Sequence, residues 1–350
     1  CRFASKIPLN PIGCGFEEIQ KIMANNNEQF KAFHDAIKAC KTRKETLRTN
    51  RQALRDRIKK YFKDNHSDYI QPKFCWQGSF AMDTILNPIK DESGLGAYDL
   101  DDGVYFISDD EEDKKDLEWY HSEMYEAVKD HTTKGAEDNA PCVTVLYADG
   151  HHVDLPVYFM IEDETPQLSH RETPWIESDP KGLRTWFNDE CSKKTNLKRM
   201  VRYLKAWCDY VKSETDKKMP TGCILTMLAA EHFAEPDADG REDVQMKDIL
   251  VNMYDSLSAD NGFHCYRPTS PYDDLFEGYS EKRKKDFLNE LKSFKEDAER
   301  AINSKNPKEA CGKWQKHFGD RFCCSTAKDE DEDAQKKSFA GTINNESKYA

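Results

Sequence analysis

Three carboxylates crowd into four positions of the stretch YDLDDGVYF, residues 98–106, directly before an apolar run. Like charges at this spacing repel one another, and burying even one unpaired carboxylate is costly. If the stretch is a strand, alternation puts Asp99 and Asp101 on one face and Asp102 on the other. The stretch is therefore either a solvated turn or a strand whose two paired acids face a concentrated positive charge.

A third acid and a glycine-serine pair extend this pattern. Asp154 is the lone acid of the apolar run VDLPV, 153–157, where an acid either pairs with a cation or coordinates a metal. Gly78 lets the backbone approach a phosphate closely, and the Ser79 hydroxyl with exposed N–H groups can hold a triphosphate. Two strand carboxylates and a distant third suit a pair of divalent ions roughly 3.5–4 Å apart. Each signal is weak alone, but their order favours a metal-dependent nucleotide site.

Residues 25–64 are predicted to form one long helix. Its apolar positions recur mostly at spacings of three and four residues, and they are Phe30, Phe33, Ile37, Cys40, Leu47, Leu54, Ile58 and Tyr61. Lys44 and Arg51 fill the two remaining positions of this seam. Basic residues in the seam favour a helix that packs along the lobes of its own protein over one arm of a coiled-coil dimer.

The rest of the chain divides into a strand-rich region and a helical region. Strand patterns run from 69 to 160 and include a hairpin with an Asp149-Gly150 turn. From about 180 the pattern is helical, and Asp179-Pro180 supplies a cap and a first helical position. We therefore predict an α+β fold in four parts: an N-terminal segment (1–24), a sheet lobe with the long helix (25–178), a helical lobe (179–325) and a disordered acidic tail (326–350).

Charge and hydropathy argue against two other classes of protein. The formal net charge of −13 argues against a stable nucleic-acid scaffold, which normally presents a basic face. No run of about eighteen apolar residues is present, and the first residues lack the apolar core of a signal peptide. The sequence thus predicts a cytoplasmic protein without a membrane span, and its twelve scattered cysteines are expected to be reduced thiols.

Taken together, the motifs resemble one enzyme superfamily. The stretches QGSF (77–80), YDLDDGVYF (98–106) and HVDLPVYF (152–159) are similar to nucleotidyltransferases of the polymerase-β type. Within these they are most similar to the bacterial CD-NTases, the cyclic-oligonucleotide synthases of anti-phage signalling. WIESDPKGLRTWF (175–187) and the helix at 197–210 resemble the helical lobe of the subgroup that makes cyclic GMP-AMP. The resemblance implies a polymerase-β-like sheet lobe and a helical lobe bridged by the long N-terminal helix.

The resemblance also implies roles for the acids. Asp99 and Asp101 would hold two Mg²⁺ ions, with Mn²⁺ as the other candidate ion, and Asp154 would join the ion that activates the attacking hydroxyl. Ser79 would contact the donor triphosphate, with Gly78 permitting the approach. The substrates would be NTPs, ATP and GTP foremost, and the product a cyclic di- or trinucleotide formed with release of pyrophosphate.

Three weaker assignments come from the same resemblance. Lys205 and Thr221 match the lysine and hydroxyl residue that hold donor phosphates in the family, and Gln77 would contact the acceptor nucleotide. By strand alternation Asp102 faces away from the site, so a salt bridge is expected for it. The interval between Ser79 and Asp99 is longer than the minimal superfamily pattern.

Several alternatives stay open on the sequence. Cys311, His317, Cys323 and Cys324 could bind structural zinc. Template-free RNA tailing would need a basic channel, of which a chain at −13 gives little sign, and an inactive nucleotide-binding scaffold would have no reason to keep all three acids. A flexible tail ending at Ala350 is compatible with conjugation to a partner, or with simple fraying.

Overall fold

The computed structural model describes residues 23–90, 94, 96–173 and 175–330. The helices are α1 (Asn27–Ile37), α2 (Lys41–Asn65), α3 (Gly78–Ala81), α4 (Leu117–Val128), α5 (Pro180–Lys193), α6 (Leu197–Glu214), α7 (Gly222–Glu231), α8 (Glu242–Leu257), α9 (Glu281–Asn303) and α10 (Pro307–Phe318). The strands are β1 (Lys73–Gln77), β2 (Tyr98–Ser108), β3 (Ala136–Asn139), β4 (Cys142–Leu146), β5 (His151–Leu155), β6 (Val157–Ile161), β7 (Gln167–Leu168) and β8 (Ile176–Glu177). These strands join in one sheet followed by a helical lobe, which confirms the predicted α+β class.

The strand β2 organises the sheet. It pairs antiparallel with β1 and parallel with both β5 and β6. Pro156 separates β5 from β6 because proline has no N–H to give to the ladder. Its carbonyl still accepts the N–H of Val104 at 2.9 Å, and the register is unchanged, with Asp101 opposite Asp154 and Val104 opposite Val157. The two short strands therefore form one line beside β2, which fixes Asp154 next to Asp101.

The helices α2 and α4 pack with the sheet to form the first of two cores. Leu54, Ile58 and Phe62 of α2 are fully buried there together with Leu100 and Phe106 of β2. The predicted hairpin is also present, since β4 and β5 pair antiparallel on either side of the Asp149-Gly150 turn. This apolar packing holds one face of β2 against the helices, which leaves its opposite face free to carry the acids.

The prediction of one helix over 25–64 is wrong, because the chain breaks between α1 and α2. Lys38 forms an isolated β-bridge with Leu86. The side-chain amide of Asn87 donates to the carbonyls of Ala36 at 3.0 Å and Lys38 at 2.8 Å. These bonds satisfy carbonyls at the end of α1 that would otherwise need a continuing helix.

The break assigns the two helices to different cores. Phe30 of α1 packs edge-on against Tyr203 and Trp314, with ring centroids 5.2 and 4.9 Å apart, so α1 packs with the helical lobe and not with the sheet as predicted. The basic seam residues of α2 contact their own chain as expected. Lys44 pairs with Asp83, and Arg51 lies 5.1 Å from the ring centroid of Trp76.

The helical lobe forms the second core around α6. Trp207, Leu204 and Met200 of α6 are fully buried with residues of α7 to α10. The predicted start of α5 is confirmed, because Asp179 Oδ1 accepts the N–H of Gly182 at 2.7 Å. Among the residues that the structure describes, no helix combines the length and the apolar character needed to cross a bilayer.

Cys311 and Cys324 form a disulfide, which corrects the expectation that the cysteines are all reduced. It also removes two of the four candidate zinc ligands. His317 Nε2 lies 2.9 Å from Asp297 Oδ2, and Cys323 is exposed. The zinc site considered for this segment is therefore not formed.

The chain beyond the disulfide stays attached to the helical lobe. Gln29 donates to the Thr326 hydroxyl at 3.1 Å, and the N–H of Lys308 donates to the Lys328 carbonyl at 3.0 Å. The start of the predicted disordered tail is thus hydrogen-bonded. Residues 331–350, with Ala350 and its predicted conjugation, lie outside the described residues, as does most of the predicted N-terminal segment.

Reduction of this disulfide is expected to lower the stability of the helical lobe. The cysteines are separated by 13 residues, and closing a loop of that size contributes about 3 kcal/mol in the chain-entropy model. Thermal unfolding of Cys311→Ser should show a clearly lower Tm than the parent under oxidising conditions and the same Tm under strong reductant. Cys323→Ser, which changes the adjacent free thiol, is the control, and an equal loss there would contradict the prediction.

Candidate active site

The structure brings Asp99, Asp101 and Asp154 together on the face of the sheet away from α2. One carboxylate oxygen of each lies within 4.8 Å of the others. Asp99 and Asp101 share this face because they are two residues apart in β2. Asp154 joins them because its strand runs parallel to β2 in the register that sets it opposite Asp101. Within the described ranges this is the group of acidic, histidine or cysteine side chains that could hold a metal ion.

The electrostatics of these acids fit a divalent cation. Burial, and then the charges of Asp99 and Asp154, raise the pKa of Asp101 well above its usual range. Burial also raises the pKa of Asp154, although Thr144 Oγ1 donates to its Oδ1 at 2.7 Å. Carboxylates crowded in this way carry their charges at a cost, and a hard cation with oxygen ligands relieves that cost. The donor set therefore suits Mg²⁺ or Mn²⁺.

Gly78 is required by the position of Asp101. A Cβ atom at Gly78 would lie 1.8 Å from Asp101 Oδ2, which is far inside van der Waals contact. Gly78 also has a φ of +65°, a conformation that other residues adopt only with strain. Because glycine has no side chain, the backbone at the start of α3 can approach the Asp101 carboxylate of β2 this closely.

Asp102 faces away from this site, as the alternation predicts. Its carboxylate accepts two hydrogen bonds from Arg55 of α2, through Nε at 2.6 Å and through Nη2. Asp102 is 1% exposed, and burial raises its pKa despite the opposing effect of Arg55. The expected salt bridge is confirmed, and Asp102 is separate from the metal-binding set.

The acids open into a cavity of about 410 Å³ between the sheet and the helical lobe. Ser79 and Lys205 line it together with Asp99 and Asp101. Lys205 Nζ donates to the Thr84 carbonyl at 3.2 Å. Burial lowers the pKa of Lys205, while the neighbouring carboxylates oppose this effect. A cation from α6 therefore reaches the same space as the acids of β2.

Two other predicted site residues, Gln77 and Thr221, are less directly exposed to the cavity than the sequence predicts. Gln77 lines the cavity, but its amide nitrogen donates to the Tyr158 hydroxyl at 2.9 Å, so the amide is engaged within the wall. Thr221 is exposed and precedes α7, whereas its neighbours Gly222 and Cys223 line the cavity. Thr221 is thus not among the residues that line the cavity, and its contact with donor phosphates stays a prediction.

The structure also adds residues that the sequence did not single out. Tyr158, Ser178 and Arg267 line the cavity. Tyr158 follows Asp154 by four positions on the same line of strand, so alternation could have placed it on the same face. Arg267 lies between α8 and α9, outside any periodic pattern, and no sequence signal marks it.

Comparison with known proteins identifies the nucleotidyltransferase domain. Residues 72–158 match the family model for the cyclic GMP-AMP synthase DncV-like nucleotidyltransferase domain. A cyclic GMP-AMP synthase of Escherichia albertii is 26% identical over 171 residues, which cover 47% of this chain and 38% of that protein. A c-di-GMP synthase of Roseivirga ehrenbergii is 23% identical over 279 residues, or 71% of each protein. The chain thus spans less than two fifths of the length of the first relative and a larger part of the second.

Solved structures share the fold over most of the chain. The Vibrio cholerae dinucleotide cyclase DncV, as a mutant in complex with ATP, GTP and 5MTHFGLU2, matches with a TM-score of 0.71 at 19% identity, over 86% of this chain and 97% of that one. Its apo form matches with a TM-score of 0.72 at 20% identity, over 86% and 96%. The domain match, the relatives and the fold agree with one another. Residues 72–158 thus form a domain of the DncV-like nucleotidyltransferase type, and the described chain has the fold of DncV.

Proposed function

We propose that this protein is a metal-dependent nucleotidyltransferase that joins NTPs into a cyclic di- or trinucleotide and releases pyrophosphate. The observation that carries the proposal is the convergence of Asp99, Asp101 and Asp154 within 4.8 Å at a cavity of about 410 Å³ that Ser79 and Lys205 also line. A cavity of this size can hold nucleotides, and it lies between two lobes that supply opposite charges. In keeping with the family, we place the product in anti-phage signalling in the cytoplasm.

Each residue has a defined task in this proposal. Asp99, Asp101 and Asp154 would hold the metal ions. Bound divalent ions would neutralise charge on the attacking oxygen and on the leaving pyrophosphate. Ser79 and Lys205 hold the donor triphosphate, so that much of the catalysis consists of positioning and charge stabilisation. Gln77, whose amide nitrogen donates to the Tyr158 hydroxyl, would contact the acceptor nucleotide from the cavity wall, and Thr221 approaches the donor phosphates only if its turn moves inward.

We propose ATP and GTP as the substrates. Several relatives are cyclic GMP-AMP synthases and one is a c-di-GMP synthase, and the matching DncV structure holds ATP and GTP. These names support guanine as one of the bases, because it occurs in both kinds of product.

A product assay tests the proposal directly. The purified chain is incubated with the four NTPs and Mg²⁺, treated with phosphatase, and the surviving species are weighed by mass spectrometry. A phosphatase-resistant cyclic species that disappears with EDTA supports the proposal. Extension of an RNA primer instead would indicate a tailing enzyme, and the absence of both products would indicate a nucleotide-binding scaffold.

Gly78→Ala is expected to reduce product formation at least a hundredfold. The new Cβ would force Asp101 Oδ2 away from its position, since it would lie 1.8 Å from that atom, and a misplacement of about 1 Å costs roughly 10²-fold in rate. Gly240→Ala is the matched control, because Gly240 has the same φ of +65° but a Cβ atom there would meet nothing within 4 Å among the described residues. Equal activity losses in the two variants would show that backbone strain, and not the contact with Asp101, is responsible.

A further inference from the structure

The cavity has a second cation, Arg267, whose surroundings differ from those of Lys205. The pKa of Lys205 is lowered by burial and raised by three carboxylates, those of Asp99, Asp209 and Asp101. Arg267 instead has Asp273, Cys223 and Tyr158 as its electrostatic neighbours. Burial disfavours its charged form, but the hydrogen bond to Asp273 and these neighbours outweigh burial and raise the pKa of Arg267 above its ordinary value. Arg267 is therefore a permanent cation of the cavity wall, and its carboxylate partner is Asp273 and not one of the metal-binding acids.

The loop that carries Arg267 is held in a fixed shape. Arg267 Nε donates to Asp273 Oδ1 at 2.7 Å and Nη2 donates to Oδ2 at 3.3 Å. The Arg267 N–H also donates to the Asp273 carbonyl at 3.0 Å, and Tyr266 forms a β-bridge with Asp274. A side chain fixed on two sides in this way loses little entropy when it binds a ligand.

The chemistry around Arg267 favours a base over a phosphate. Asp273 compensates the positive charge of Arg267, so that a phosphate would meet a carboxylate beside the guanidinium. Cys223 and Tyr158 neighbour Arg267, and elsewhere the wall of the same cavity includes Leu183 and Met227, so the cavity offers apolar and aromatic surface that suits the face of a base. A guanidinium has five N–H donors, and the contact with Asp273 uses two of them. Among the described residues no other hydrogen bond engages the remaining donors, which can therefore serve a group with two adjacent acceptors.

Guanine presents such a pair of acceptors and adenine does not. Guanine O6 and N7 both accept, whereas adenine offers N7 beside an amino group that donates. Arginine is accordingly the usual partner of guanine, and glutamine is a partner of adenine. We propose that Arg267, oriented by Asp273, selects guanine at one nucleotide position of the cavity. This inference rests on the proposed nucleotidyltransferase function and names a specificity residue for it.

The first experiment needs no variant. Binding of GTP and 7-deaza-GTP to the unmodified chain is measured by calorimetry with Ca²⁺ in place of Mg²⁺, so that turnover is suppressed. Loss of N7 removes one of the two acceptors, and we expect 7-deaza-GTP to bind several-fold more weakly. Equal affinities for the two nucleotides would overturn the proposal.

The second experiment replaces the side chain. Arg267→Gln is expected to weaken GTP binding about tenfold, with ATP binding unchanged or stronger, and to shift the products of an equimolar ATP and GTP mixture towards adenine. Arg300→Gln is the matched control, because Arg300 also donates through Nε and Nη2 to an aspartate, Asp297, at 3.2 and 2.9 Å, and it does not line the cavity. A parallel loss of GTP and ATP binding would indicate a phosphate contact, and no change in either would indicate a role in the loop alone; both results contradict the proposal.

The outcomes separate this inference from the proposed function. Selective GTP binding that depends on Arg267, without any cyclic product from the unmodified chain, would retain the inference and reject the synthase. A cyclic product whose base composition is the same for Arg267→Gln and the unmodified chain would retain the synthase and reject the inference.

Discussion

Asp101→Asn is expected to abolish product formation without destabilising the protein. Asparagine keeps the size of the side chain but removes the charge that binds a divalent ion, and metal ions contribute several kcal/mol of transition-state stabilisation. A loss of about 4 kcal/mol corresponds to roughly a thousandfold in rate. We therefore expect at least that loss in the phosphatase-resistance assay, with Mg²⁺ at any concentration.

The thermal stability of Asp101→Asn, in contrast to its activity, should stay the same or increase. Asp101 lies beside Asp99 and Asp154, and burial together with their charges holds its pKa well above the usual range. In the metal-free protein, removal of one charge relieves this repulsion, so the Tm of Asp101→Asn in EDTA should equal or exceed that of the parent. Asp109→Asn, an exposed acid just beyond β2, should leave activity and Tm unchanged. A lower Tm for Asp101→Asn would mean that the acids serve the fold.

Asp102→Ala is expected to cause a large loss of stability and little loss of activity, which is the reverse of the result expected for Asp101→Asn. The substitution leaves Arg55, whose side chain is 19% exposed, without its carboxylate partner, and removing one member of a buried ion pair costs about 3–5 kcal/mol. Denaturant unfolding should show this decrease in the free energy of unfolding. Product formation by the fraction that remains folded should be close to that of the parent, because Asp102 faces the helix and not the cavity.

A double variant separates the lost pair from the lost packing. Burial raises the pKa of Asp102 even though Arg55 opposes it, so the pair is costly to bury as well as attractive. Arg55→Met/Asp102→Ala should therefore recover much of the stability lost by Asp102→Ala alone. If the double variant is as unstable as the single one, the cost comes from the cavity left by the carboxylate.

The acids were predictable because their arrangement follows from local rules. Alternation along β2 separates Asp99 and Asp101 from Asp102, whereas the proximity of Gly78 to Asp101 comes from the antiparallel pairing that sets Gln77 opposite Asp101. The break between α1 and α2 was not predictable in this way, because the apolar spacing continues across Lys38 while the contacts that stop the helix come from Leu86 and Asn87. Long-range contacts of this kind leave no periodic trace.

Long-range contacts also explain why the disulfide and the position of Arg267 were not predicted from the sequence. The pairing of Cys311 with Cys324 depends on how α10 lies against the chain that follows it. Arg267 belongs to a loop whose position is set by the helical lobe, so its place in the cavity appears only in three dimensions. Local sequence thus predicts the chemistry of the sheet, and tertiary packing decides what faces it.

The unchanged register on either side of Pro156 has a consequence for insertions and deletions. Asp154 meets Asp101 because β5 pairs residue by residue with β2, and in a strand a shift by one position turns every side chain to the opposite face. A single residue added between His151 and Asp154 would move the third carboxylate into the apolar core without altering any of the three acids. The length of this short segment is therefore as much a part of the site as the identity of its side chains, and a relative with all three aspartates but a changed count here would lack a complete metal-binding set.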